Sequence, residues 1–178
     1  MTLFGWQTTW GAFSFPFIFL ATDLTVRLIG KETARRVITG AMFFALIASY
    51  LVSVLFKDGM FQGWISLHTF NLFVARISLA SFFAYVFGQL LDIHVFDHLR
   101  KLKQWWWAPI ASTLFGSMLD SIVFFTIAFW HSPDPFMAKN WIEIASVDYV
   151  VKLSISMVLF IPLYGLLLRA LARMFQKI

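Results

Sequence analysis

Long apolar runs separated by short polar stretches divide the chain into five segments. They run from about Phe13 to Gly30, Val37 to Phe56, Leu67 to His94, Trp106 to Trp130 and Ala145 to Leu168. Each can cross a hydrocarbon core of about 30 Å as a helix, which takes roughly 20 residues. The strict apolar–polar alternation of a membrane β-barrel is missing from the sequence. The pattern predicts an all-α, polytopic transmembrane bundle that forms a single domain over residues 1–178.

Polar positions inside these segments are few and costly. Eight ionisable residues inside them stand out: Asp23, Arg27, Arg76, Asp92, His94, Asp120, Asp148 and Lys152. An Asp, Lys or Arg at the centre of a membrane helix costs about 2.5–3.5 kcal/mol or more, so such residues face a cavity, a partner or a polar substrate. Asp23 with Arg27, and Asp148 with Lys152, stand at i, i+4 and share a helix face, where each pair can neutralise itself. Asp23 is flanked by Thr22 and Thr25, which suits a polar cavity. Arg76 and Asp120 have no opposite charge four residues away. The sequence therefore predicts that they face one shared cavity between the third and fourth spans. Small residues run beside both: Ala80, Ala84 and Gly88 after Arg76, and Ser112 and Gly116 before Asp120. Such stripes let helices approach closely. Gln89 and Asp92 sit toward the end of the third span, and the Gln89 amide can both donate and accept. His94 and His98 stand four apart, but no third ligand accompanies them, so no metal is expected.

Composition supports a membrane protein. The chain of 178 residues is 60% hydrophobic and 13% charged, with a mean hydropathy of +0.79. A soluble domain is nearer 45–50% apolar and about 25% charged. Cysteine is absent, which excludes disulfides and thiolate chemistry. Of the 14 Lys and Arg, nine cluster in three places: Lys31, Arg35 and Arg36; Arg100, Lys101 and Lys103; Arg169, Arg173 and Lys177. The positive-inside rule makes these regions cytoplasmic, including the C-terminus, and places the N-terminus outside. Trp105, Trp106 and Trp107 suit an interfacial belt. Hydrolase, metalloprotease and phosphate-loop motifs are missing from the sequence, which argues against an enzyme.

Several motifs resemble one family. Thr9-Trp10-Gly11-Ala12-Phe13-Ser14-Phe15-Pro16, with Thr22-Asp23-Leu24, resembles the queuosine precursor transporters of the vitamin-uptake-like membrane family. Val74-Ala75-Arg76, Ala80-Ser81 and Gly88-Gln89-Leu90-Leu91-Asp92 carry the same resemblance. So do Ser112 to Gly116, Asp120-Ser121, and Val147-Asp148-Tyr149 with Lys152. The resemblance covers essentially the whole chain. It implies a bacterial inner-membrane protein that imports 7-cyano-7-deazaguanine and 7-aminomethyl-7-deazaguanine for queuosine synthesis in tRNA. It also implies a fold like the substrate-binding subunits of energy-coupling-factor transporters. The family has six helices, so the first is expected to be missing here. Arg27 stands where many members carry Glu. The alternative reading is a binding subunit that needs a separate energising complex. The substrate-binding candidates are Asp23, Arg76, Gln89, Asp92, Ser112, Asp120 and Lys152. Expected partners are the deazaguanine and membrane lipid, with no nucleic acid and no cofactor, and a homo-oligomer is left open.

Overall fold

The α3–α4 hairpin organises the fold. In the computed structural model, α3 (Leu72–Leu99) and α4 (Trp107–Phe129) pack against each other over most of their lengths. The structure describes residues 2–3, 6–7, 11–57 and 60–175. Thr9 and Trp10 of the N-terminal motif and Lys177 of the C-terminal basic group lie outside these residues.

Glycine explains how closely the hairpin packs. A Cβ added to Gly88 would stand 3.2 Å from the Gly116 carbonyl oxygen and 3.0 Å from Asp120 Cβ. One added to Gly116 would stand 3.2 Å from the Gly88 carbonyl oxygen and 3.1 Å from Asp92 Cβ. The crossing is reciprocal: each helix sets its glycine against the other helix's glycine and aspartate. The small-residue stripes predicted from sequence thus lie at this interface.

Around the hairpin stand α1 (Gly11–Leu28), α2 (Lys31–Leu55), α5 (Pro135–Ile155) and α6 (Ile161–Phe175). α1 touches α2, α3, α4 and α5, whereas α2 leans on α3 and α1 and leaves most of its surface outside. α5 and α6 join through a π turn, Ser156–Phe160, in which the Ile161 amide donates to the Ser156 carbonyl. Pro162, which has no amide hydrogen, follows directly. Ile144, Asp148, Lys152, Ser156, Phe160 and Tyr164 recur every four residues and all are buried. A step of four overshoots a regular helical turn by about 40°. The wider π turn offsets that drift and keeps Phe160 and Tyr164 on the inner side.

The sequence-derived segments match the helices with shifted ends. The fifth begins at Pro135 rather than about Ala145, because exposed Lys139 and Glu143 interrupt the apolar run without ending the helix. Asp134 caps it, accepting from the amides of Phe136 and Met137 at 3.0 and 3.1 Å. The third begins at Leu72, since Trp64–His68 forms a 3-10 turn. Two short ribbons also occur, β1 (Thr2–Leu3) with β2 (Trp6–Gln7), and β3 (Phe56–Lys57) with β4 (Met60–Phe61). Four helical stretches are long and apolar enough to cross a membrane: α2, α3, α4 and the joined α5–α6. The protein is a multi-pass helical membrane bundle.

Two of the three basic segments meet at one end of the bundle. Lys31, just after the Gly30 turn (φ 106°), pairs with Asp97 at 3.1 Å. Arg100 meets the same carboxylate at 2.8 Å and donates to the Val26 carbonyl at 3.1 Å. Trp105 stacks on Tyr164 of α6 with ring centres 6.0 Å apart, and Gly165 leaves room for its indole. Burial is inverted relative to a soluble protein: Phe44 and Ile65 are 79% and 78% exposed, whereas Asp92 and Asp148 are wholly buried.

Candidate functional site

Two polar centres flank the glycine crossing. The first joins α4 to α5. Lys152 Nζ lies 2.8 Å from Asp120 Oδ2 and 2.6 Å from Asp148 Oδ2. It also donates to Ser121 Oγ at 3.1 Å, and that hydroxyl donates to Asp148 Oδ2 at 3.3 Å. Asp148 and Lys152 form the i, i+4 pair expected from their spacing, and Asp120 joins it from the neighbouring helix. One ammonium therefore serves two carboxylates, all buried. Within this cluster only Asp120 Oδ1 has no hydrogen-bond partner.

The second centre joins α1, α3 and α4. Asp23 accepts from the Ser112 hydroxyl, 3.3 Å to Oδ1 and 3.4 Å to Oδ2. Its neighbour Thr22 donates to Gln89 Oε1 at 2.8 Å. Successive residues of one helix point about 100° apart, so the Thr22-Asp23 dipeptide ties α1 to both members of the hairpin. Asp92 faces Asp23 and Ser112 near hydrogen-bonding range. Yet neither Asp92 oxygen closes a hydrogen bond, and neither does Gln89 Nε2. Both residues are wholly buried. Arg27 reaches Asp23 only through space and does not complete the ion pair expected from sequence. Among the described residues, no cation lies within ion-pairing distance of Asp23 or Asp92.

The structure corrects the expectation for Arg76. It does not share a cavity with Asp120. Its Nε donates to the Ile127 carbonyl at 2.6 Å, Nη1 to the His131 carbonyl at 3.3 Å, and Nη2 to the Trp130 carbonyl. These oxygens belong to the last turn of α4 and the residues after it, which have no intrahelical donors. Arg76 thus caps that end, where a cation also opposes the helix dipole. Asp120 receives Lys152 instead.

A second correction concerns space. The sequence places the cavity between the third and fourth spans, but the glycine crossing closes that interface. Among the described residues, two clefts lie between α1, α2 and α3. One of about 290 Å³ is lined by Phe17, Thr22, Thr25, Ile38 and Tyr85 among others. A second, about 370 Å³, is bordered by Met42, Ser49, Ser78, Ser81 and Tyr85. Thr22 therefore stands at the wall between a cleft and the Gln89 amide. Thr22 was noted from sequence only as a neighbour of Asp23, and Ser78 was not noted at all; a hydroxyl in an apolar run was the available signal. His94 and His98 both lie on the exposed side of α3. Among the described residues no metal-ligating cluster occurs.

Comparison with known proteins gives a consistent set of relatives. Residues 9–167 match the family model described as "Putative vitamin uptake transporter". The chain is 58% identical over 173 residues to the "Queuosine precursor transporter" of Escherichia coli strain K12, covering 97% of this chain and 78% of that protein. It is 56% identical over 175 residues to a "Probable queuosine precursor transporter" of Haemophilus influenzae, covering 98% and 74%. A Bacillus subtilis protein with the latter description is 26% identical over 163 residues, covering 88% and 70%. No solved structure matches the chain.

Proposed function

Because this chain belongs to the queuosine precursor transporters, within the family of vitamin uptake transporters, we propose that it carries 7-deazaguanine precursors across the bacterial inner membrane. The cargo is 7-cyano-7-deazaguanine and 7-aminomethyl-7-deazaguanine, which supply tRNA modification. In this reading α1 is a fifth span beside the four long apolar helices. The end bearing Lys31 and Arg100 faces the cytoplasm, and so does the C-terminus.

One observation carries the substrate reading. Gln89 and Asp92 lie three residues apart on α3, wholly buried, with one amide donor and two carboxylate acceptors unused. Residues three apart share a helix face. Buried polar groups are ordinarily bonded, so unused ones mark a place where a ligand or water completes them. A 7-deazaguanine edge has a 6-oxo acceptor, a ring N–H and an amino group. The Gln89 amide can donate to the oxo group while both Asp92 oxygens accept from the two N–H donors. Asp23, bonded to Ser112, lies on the other side of Asp92, and the ring of Phe19, which packs on Gly116, supplies an apolar face for the heterocycle. Asp120 and Lys152 hold α4 to α5 behind the site, and Arg76 fixes the far end of α4.

Uptake into proteoliposomes containing only this chain is the test. Saturable accumulation of a labelled 7-deazaguanine is expected, with competition by the unlabelled compound. Binding without uptake would support the alternative of a subunit that needs a separate energising complex. A well-folded chain that neither binds nor carries these compounds would overturn the assignment.

A further inference from the structure

We propose that Asp23 and Asp92 hold one proton between them, and that the site loads a ligand together with that proton. The inference rests on the reading of Gln89 and Asp92 given above. Both carboxylates are buried, at 2% and 0% exposure. They face each other from α1 and α3 near hydrogen-bonding range. Among the described residues, no cation stands within ion-pairing distance of either. Two ionised carboxylates are acceptors only, so neither can bond the other. Like charges this close and out of water cannot both ionise. Both Asp92 oxygens lack a donor, and a proton on Asp23 supplies one.

The surroundings leave this role to a proton. Arg27, one turn further along α1, reaches Asp23 only through space. Tyr164 of α6 also reaches it through space. α4 supplies the Ser112 hydroxyl, 3.3 Å from Asp23 Oδ1, and Asp120, which Lys152 of α5 takes at 2.8 Å. α2 brings Lys31, which Asp97 takes at 3.1 Å. With its proton on Asp23, the pair carries one negative charge, on Asp92. A carboxylate offers about four lone-pair sites. Asp92 can therefore accept from Asp23 and from two ligand N–H groups at once. A second proton, on Asp92, would set its O–H against a ligand N–H. With no proton, Asp23 is a bare charge beside the carboxylate that the ligand needs. Ligand and proton thus favour each other, and the preference is reciprocal. The proton comes from water as the ligand enters, forms the Asp23 O–H, and returns to water as the ligand leaves. A carrier loaded in this way moves one proton with each ligand, in the same direction.

Two measurements on the purified full chain test the inference. The first is an infrared difference spectrum at neutral pH, without ligand, between the parent and Asp23→Asn with Asp92→Asn. The parent should hold one more protonated carboxyl and one more carboxylate than the double variant. Asp23→Ser with Asp92→Ser is the comparison if the asparagine form does not fold. Two carboxylates, or two protonated carboxyls, in the difference overturn the shared proton. The second is 7-deazaguanine affinity against pH, by calorimetry, for the parent and Asp23→Asn. Above the pH at which the empty pair loses its proton, parent affinity should fall by about tenfold per pH unit, the slope for one proton taken up with each ligand. Asp23→Asn has no such proton to lose and should lack that slope, whatever its affinity at neutral pH. Loss of the ligand's own ring N–H at high pH is common to both proteins, so their difference isolates the pair. If the variant binds too weakly to follow, buffers of differing ionisation enthalpy count the protons in the parent. About one per ligand is expected, and none overturns the joint loading, as do equal slopes in the two proteins. A parent that shows the one-proton spectrum but does not bind overturns the Gln89–Asp92 reading, and the joint loading with it, and leaves the proton site standing.

Discussion

The two polar centres are built from the same local parts and end in opposite states. Gly88 precedes Asp92 by four residues on α3, and Gly116 precedes Asp120 by four on α4. At the crossing each aspartate packs beside the other helix's glycine. Asp120 then meets Lys152, Asp148 and Ser121 at the α5 face. Asp92 instead faces Asp23 and Ser112, with no cation among the described residues in ion-pairing distance, beside the unpartnered end of the Gln89 amide. A single lysine makes the difference. Where a resident cation is supplied, the carboxylates fasten helices together. Where none is supplied, the carboxylates stay buried without a cation, the state that the proposed ligand role of Asp92 requires. A shared motif therefore does not imply a shared role.

The largest expected effect breaks the closed centre. Lys152→Met leaves Asp120 and Asp148 buried without their ammonium. Removing one partner of a buried ion pair costs about 3–5 kcal/mol. Thermal unfolding in detergent should show a steep loss of stability. Lys152→Met with Asp120→Asn and Asp148→Asn should recover much of that loss, since no carboxylate then remains unpaired. A single variant as stable as the parent would show that the triad does not hold the helices.

The crossing itself comes next. Gly88→Ala and Gly116→Ala each force a methyl to about 3.0–3.1 Å from an aspartate Cβ. Overpacking of this kind costs about 1–3 kcal/mol. The two should be similarly destabilised in the same melt, because the contacts are reciprocal. Gly40→Ala is the control, with nothing within 4 Å of the added atom. It should be neutral or stabilising by up to about 1 kcal/mol. Strongly unequal costs at Gly88 and Gly116 would contradict the two-sided crossing.

Arg76 gives a smaller and purely structural effect. Arg76→Gln loses donors to carbonyls at and just beyond the end of α4 and should cost about 1–3 kcal/mol. Deazaguanine affinity should stay within about threefold of the parent, because the guanidinium serves Ile127, Trp130 and His131 rather than the site. A tenfold loss of affinity in a folded Arg76→Gln protein would return Arg76 to the binding residues.

These placements show what could be read from the chain. The helices were legible because apolar runs of membrane length have few other solutions. Asp148 with Lys152 was legible because both residues lie on one helix, where spacing fixes proximity. Asp120 with Lys152 was not, since which face of α4 meets α5 depends on packing. Arg76 misled for another reason: its acceptors are backbone carbonyls 51 to 55 residues away, and backbone carries no sequence signal. The small-residue stripes announced a close approach, but which glycine would meet which aspartate depends on packing. The π turn was hidden too, although Pro162 marks where the hydrogen-bond ladder must change.

The central claim is that Asp92, not Asp120, reads the ligand. The direct measurement is 7-deazaguanine affinity for Asp92→Asn and Asp120→Asn, with unfolding followed on the same preparations. Asp92→Asn should stay folded and lose affinity by about ten- to a hundredfold, as expected for a mispaired buried bond to a charged group. Asp120→Asn should melt earlier and keep its affinity within about threefold. The reverse pattern, with affinity lost in Asp120→Asn and kept in Asp92→Asn, would contradict the account.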